Sequence, residues 1–127
     1  MKNMNILLTG GSSGIGKALA EYFSKKNYNI IILDNKKKIF KQKNIFFIKF
    51  DLKKVKNFPK IIQNINKKFK SIEVLINCAR SGKRTSIHEE NEVNWDNTMS
   101  VNLKSTFFLS QEVSKIMIGS KFGRIIN

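Results

Sequence analysis

The chain has 127 residues, with 24 Lys or Arg against 9 Asp or Glu, a formal net charge of +15 at pH 7. That length predicts one domain, spanning residues 1–127, large enough to bury a core without staples. A lone cysteine, Cys78, excludes an internal disulfide and suits a reducing, cytoplasmic setting. The longest unbroken aliphatic run is four residues, 30–33, too short for a transmembrane helix, and the apolar stretch at 6–8 is too short for a signal peptide. The basic excess is 21 Lys and three Arg (Arg80, Arg84, Arg124), dispersed along a chain that also carries 15 Asn and 18 Ile. AT-rich codons supply Lys, Asn and Ile together, whereas a nucleic-acid groove enriches and clusters Arg. The charge therefore reads as a solvated surface rather than a nucleic-acid site.

In chain order, residues 6–8 read as a buried strand, and Ile15, Ala18, Leu19, Tyr22 and Phe23 follow with the spacing of one helical face. Strands are predicted at 30–33 and 45–50, separated by a lysine-rich segment, 35–44, with room for little more than two helical turns. Val55, Phe58, Ile62, Ile65 and Phe69 step by three and four, and Pro59 is tolerated in a first turn, which predicts a second helix. A fourth strand at 74–76 leads into a polar loop, 81–92. One long helix is predicted from Trp95 to Met117, its apolar positions being Val101, Leu103, Phe107, Phe108, Val113 and Met117, before a fifth strand at 123–127. Strands alternating with helices imply an α/β fold, a doubly wound parallel sheet covered on both faces.

The main chemical signal is the first strand-to-helix turn, Thr9-Gly10-Gly11-Ser12-Ser13-Gly14-Ile15-Gly16. Glycines at 10, 14 and 16 let the backbone approach a ligand with no Cβ in the way. The turn opens a helix whose free N–H groups and dipole favour a pyrophosphate, with Ser12, Ser13 and Thr9 available to bond the turn and the phosphate. Asp34 ends the next strand, 18 residues beyond Gly16, where a ribose-binding carboxylate is expected. An ionised Asp34 accepts from both ribose hydroxyls and repels a 2′-phosphate, so NAD is favoured over NADP; Lys36 to Lys38 soften that repulsion. His88 has no second His or Cys at metal-ligand spacing and reads as a solvated loop residue; no metal site is expected. Cys78 reads as a small residue leaving the sheet rather than a reactive thiol.

These residues resemble the short-chain dehydrogenase/reductase family. Thr-Gly-x-x-x-Gly-Ile-Gly at 9–16 matches the family's variant of the dinucleotide fingerprint, including Ile15. Asp51-Leu52, Asn77-Cys78-Ala79, Trp95-Asp96, Val101-Asn102-Leu103 and Gly123-Arg124-Ile125-Ile126-Asn127 follow in order. The resemblance implies a Rossmann-type sheet of about five strands in the order 3-2-1-4-5. It also implies that Asp51 and Asn77 line the adenosine end, that Leu52 and Ala79 beside them bind the cofactor, that Asn102 supports catalysis, and that an alcohol or carbonyl substrate is used. A helical dimer interface built partly from the long helix, and so a homo-oligomer, is implied as well.

Two departures stand out. The family's Asn-Asn-Ala-Gly is replaced by Asn77-Cys78-Ala79-Arg80, so a long cation stands near the cofactor, either pairing with a phosphate or acidic substrate or, the preferred reading, pointing to solvent. The family's catalytic Ser beyond the fifth strand and its later Tyr-x-x-x-Lys fall outside residues 1–127. The chain is therefore expected to be the cofactor-binding part of an NAD(P)-dependent oxidoreductase, inactive alone, with an unpaired edge strand and a partly uncovered long helix that invite self-association. Alternative readings are a non-catalytic NAD-binding module or one piece of a split enzyme, and a basic adaptor for polyanions.

Overall fold

A computed structural model describes residues 4–127; the first three residues of the expected domain lie outside the described residues. Five strands form one parallel sheet: β1 (Asn5–Thr9), β2 (Asn29–Asp34), β3 (Ile45–Lys49), β4 (Val74–Asn77) and β5 (Arg124–Ile126). Their spatial order is β3-β2-β1-β4-β5, as the resemblance implies. The central strand β1 pairs Leu7 with Ile31 of β2 on one side and with Leu75 of β4 on the other.

Alternation along each strand sorts the side chains onto two faces. Leu7, Ile31, Leu33 and Leu75 point to one face, where α2 (Phe58–Phe69) and α4 (Thr106–Ser120) add Phe58, Ile62, Ile65, Leu109, Val113 and Met117. Ile6, Leu8, Ile30, Ile32 and Ile76 point to the other, covered by α1 (Gly14–Lys25) through Ala20, Leu19 and Phe23. Both faces are therefore closed, and β1, β2 and β4 are apolar along most of their length because neither face meets water. The helix α2 starts one residue before Pro59, preceded by a 3₁₀ turn, Val55–Asn57.

Residues 35–44, with room for little more than two helical turns, contain no helix. Two expectations are corrected. In α1 the buried positions are Gly16, Ala20 and Ser24, while Ile15, Ala18 and Tyr22 face outward. Leu19 and Phe23 pack on the sheet as expected, while the positions closest to it are the small, buried ones. The single helix expected over 95–117 is a composite: α3 (Glu92–Met99), a π-helical turn (Ser100–Ser105) and α4 run on without a break. A π turn widens the ladder and rotates the side chains that follow, so Val113 and Met117 are buried with Leu109 while Leu103 and Phe107 are 58% and 62% exposed. Hydroxyls support this turn: Ser105 Oγ donates to the Val101 carbonyl at 2.5 Å and Thr106 Oγ1 to that of Asn102 at 3.1 Å.

The far end of the sheet is closed by Asn5, 2% exposed. Its Nδ2 donates to the Ser71 carbonyl and hydroxyl at 3.0 and 2.9 Å, and its Oδ1 accepts from Asn29 Nδ2 at 2.9 Å. The apolar core on the α2/α4 side turns on Phe58, fully buried and stacked on Phe50 with ring centroids 5.6 Å apart. Phe58→Ala is expected to cost about 3–5 kcal/mol of stability, read as a lower urea midpoint with an unchanged slope.

Candidate functional site

The carboxyl ends of β1, β2, β3 and β4 open into one cleft of about 660 Å³, within the usual range for small-ligand sites. Its floor is the glycine turn between β1 and α1. Gly10 adopts φ +69°, and a Cβ there would lie 2.6 Å from Ala79 Cα, so the turn is pressed against the exit of β4. A Cβ on Gly16 would run into the Gly10 carbonyl, which is why α1 begins directly on the turn. Gly14, at φ +52°, is different: an added Cβ meets nothing within 4 Å. That position faces the open space of the cleft, leaving room for a ligand to touch the backbone.

The start of α1 is prepared for an anion. Ser13 is its N-cap residue but makes no side-chain capping bond, whereas Asn91 caps α3 by accepting from the Asn94 amide at 3.0 Å. The first-turn N–H groups of α1 thus keep no capping side chain, in a helix whose positive end points into the cleft.

Two carboxylates build the wall of the cleft at the ends of β2 and β3. Asp34 Oδ2 accepts from the Ser12 amide and Oδ1 from the Lys36 amide, each at 3.0 Å, while Ser12 Oγ donates to the Lys36 carbonyl at 2.7 Å. The glycine turn and the exit of β2 are therefore clasped together with Asp34 between them. Asp51 Oδ1 accepts from the Lys53 amide at 3.0 Å, and Leu52 is buried beneath.

Of the residues expected from the sequence, Gly10, Ser12, Ser13, Gly14, Ile15, Gly16, Asp34, Asp51, Leu52 and Ala79 line this one cleft. Thr9 and Asn77 do not. Thr9 is 2% exposed, and its Oγ1 accepts from the Cys78 and Ala79 amides at 3.1 Å each, so it anchors the β4 exit from behind. Asn77 donates to Ser110 Oγ at 3.2 Å and to Asn127 Oδ1 at 2.8 Å, away from the lining. Asn102 lies in the π turn and spends its amide on the backbone of one residue: Oδ1 accepts from the Ser81 amide at 2.8 Å and Nδ2 donates to the Ser81 carbonyl at 3.0 Å.

The sequence reading passed over the loop stitching around Ser81. Besides Asn102, Asn94 accepts from the Lys83 amide at 3.2 Å, and Gly82, at φ +113°, lies against Thr98. Glu90 takes part at the base of this loop: hydrogen bonds from the Asn94 side chain, the Asn91 amide and Thr85 hold its carboxyl below the usual carboxylate range. Tyr22 and Lys26 stand four residues apart, the spacing of the family's catalytic pair. They lie on α1 outside the cleft lining, with Lys26 Nζ 5.8 Å from the Tyr22 ring centroid.

Residues 4–127 match the family model described as short chain dehydrogenase. The chain belongs to the short chain dehydrogenase family. A curated relative, the NAD-dependent glycerol dehydrogenase of Listeria innocua serovar 6a, is 32% identical over 127 residues, covering 95% of this chain and 50% of the relative. A solved short chain dehydrogenase from Leptospira borgpetersenii with bound NAD+ superposes with a TM-score of 0.90 at 26% identity, covering 98% of this chain and 50% of that one. ElxO with NADP bound gives 0.86 at 28% identity, covering 98% and 54%. The chain thus spans about half the length of the short chain dehydrogenases it matches. Among the described residues no helix is long and apolar enough to cross a membrane.

The anchoring role of Thr9 is tested by Thr9→Val, which keeps shape and removes the acceptor. Leaving the Cys78 and Ala79 amides without it is expected to cost about 1–3 kcal/mol, measured by chemical denaturation.

Proposed function

We propose that the cleft binds a nicotinamide dinucleotide, with NAD(H) preferred, and that residues 4–127 are the cofactor-holding part of an oxidoreductase acting on an alcohol or carbonyl. The observation that carries this reading is the uncapped start of α1 beside a glycine whose missing side chain would occupy open cleft, with a carboxylate fixed at the tip of β2. The N–H groups of α1 would take the pyrophosphate, Gly14 giving it room to approach. Asp34 would accept from the adenosine ribose, and Asp51 with Leu52 would border the adenine. A bound nicotinamide supplies the hydride donor or acceptor.

The preference for NAD(H) follows from charge. Asp34 is held in place by two backbone donors, so it has little freedom to swing away from a 2′-phosphate, and close like charges repel. Similar solved proteins carry NAD+ in one case and NADP in another, and Lys36, Lys37 and Lys38 border the same end of the cleft, so the choice rests on Asp34.

No tyrosine lines the cleft among the described residues, and Asn102 is committed to Ser81. Its role is to hold the β4–α3 loop at the mouth of the cleft. The exposed apolar face of Leu103, Phe107 and Phe108 supports a homo-oligomeric whole enzyme.

Titration of the 127-residue chain with NADH, followed by nucleotide fluorescence, is expected to show saturable binding without turnover of alcohols. Asp34→Ala should move the NADPH-to-NADH affinity ratio toward NADPH by about ten-fold. A folded chain that binds neither nucleotide, or binds both in proportion to their charge alone, would remove this reading.

A further inference from the structure

Arg80 stands where the family pattern carries glycine, and its surroundings give that substitution a use. Of the cations lining the cleft, Lys36, Lys37, Lys38 and Lys53 follow β2 and β3, whereas Arg80 alone comes from the β4 side. Its backbone is held on both flanks. Thr9 Oγ1 fixes the amides of Cys78 and Ala79, and the Asn102 side chain grips both polar groups of the Ser81 backbone. Ala79, the residue before it, is the one pressed against Gly10. Arg80 therefore starts one residue from the floor of the cleft, on a backbone that cannot drift away. Arg80 is exposed and has no ion pair among the described residues. Nor do the cleft's two carboxylates need it, since each already accepts from backbone amides.

We propose that Arg80 is a direct ligand for the pyrophosphate of the bound dinucleotide. It would close over the phosphates from the β4 side while the N–H groups of α1 hold them from below. This rests on the dinucleotide reading given above. A planar guanidinium with five donors suits two neighbouring phosphates, and the pinned loop means little freedom is lost when it engages.

The test is a calorimetric titration of the full chain with ADP-ribose, which carries the pyrophosphate, and with adenosine, which lacks it. Arg80→Ala is expected to weaken ADP-ribose by about ten-fold, Arg80→Lys by less, and adenosine not at all, with the ADP-ribose difference shrinking at high salt. Because the side chain is exposed, the thermal midpoint should stay at the wild-type value. ADP-ribose binding within two-fold of wild type in Arg80→Ala would overturn the assignment, as would an equal loss for adenosine. Absence of ADP-ribose binding by the folded wild-type chain would instead overturn the dinucleotide reading on which it rests.

Discussion

The site depends on one close approach, the packing of the glycine turn against the exit of β4. Gly10 meets the Ala79 backbone, Gly16 meets the Gly10 carbonyl, and Thr9 reaches across to hold the Cys78 and Ala79 amides. Any side chain at either glycine would push α1 off the sheet or β4 off β1. The same contact that seals the sheet also aims the start of α1 into the cleft and sets the height of the loop carrying Arg80 and Ser81. Stability and binding geometry are thus set by the same few atoms.

Much of this was legible in the residues. The inner strands β1, β2 and β4 announced themselves as short apolar runs, because strands covered on both faces are buried along their length and alternation disappears. The glycine turn and Asp34 were legible because their spacing follows from where a strand ends and a helix begins. The strand order came from family resemblance, and no periodicity would have supplied it.

What escaped notice has physical causes. Leu19 and Phe23 of α1 pack on the sheet as their spacing predicts, but the buried positions of that face fall to the small Gly16, Ala20 and Ser24, and Ile15 goes to the cleft mouth. Thr9 was grouped with ligand-facing residues by its neighbours in the glycine turn, and Asn77 by the family resemblance. One is turned inward behind the wall and the other sideways toward α4 and β5. The π turn left one signal, adjacent hydroxyls at Ser105 and Thr106 placed to bond the carbonyls four residues earlier, which a search for helical periodicity passes over.

The position of β1 also has a consequence for how the chain is made. It precedes β2 and β4 in the chain and lies between them in the sheet, yet its pairing with β4 joins Ile6 to Val74. During synthesis Leu7 and Leu8 can dock on β2 early, but one edge of β1 stays open until β4 has left the ribosome. Long-range parallel pairing of this kind is slow, and an apolar strand with an open edge is what chaperones recognise. Asn5, whose side chain bridges to both Asn29 and Ser71, completes its bonds only when the segment leading into that late strand arrives.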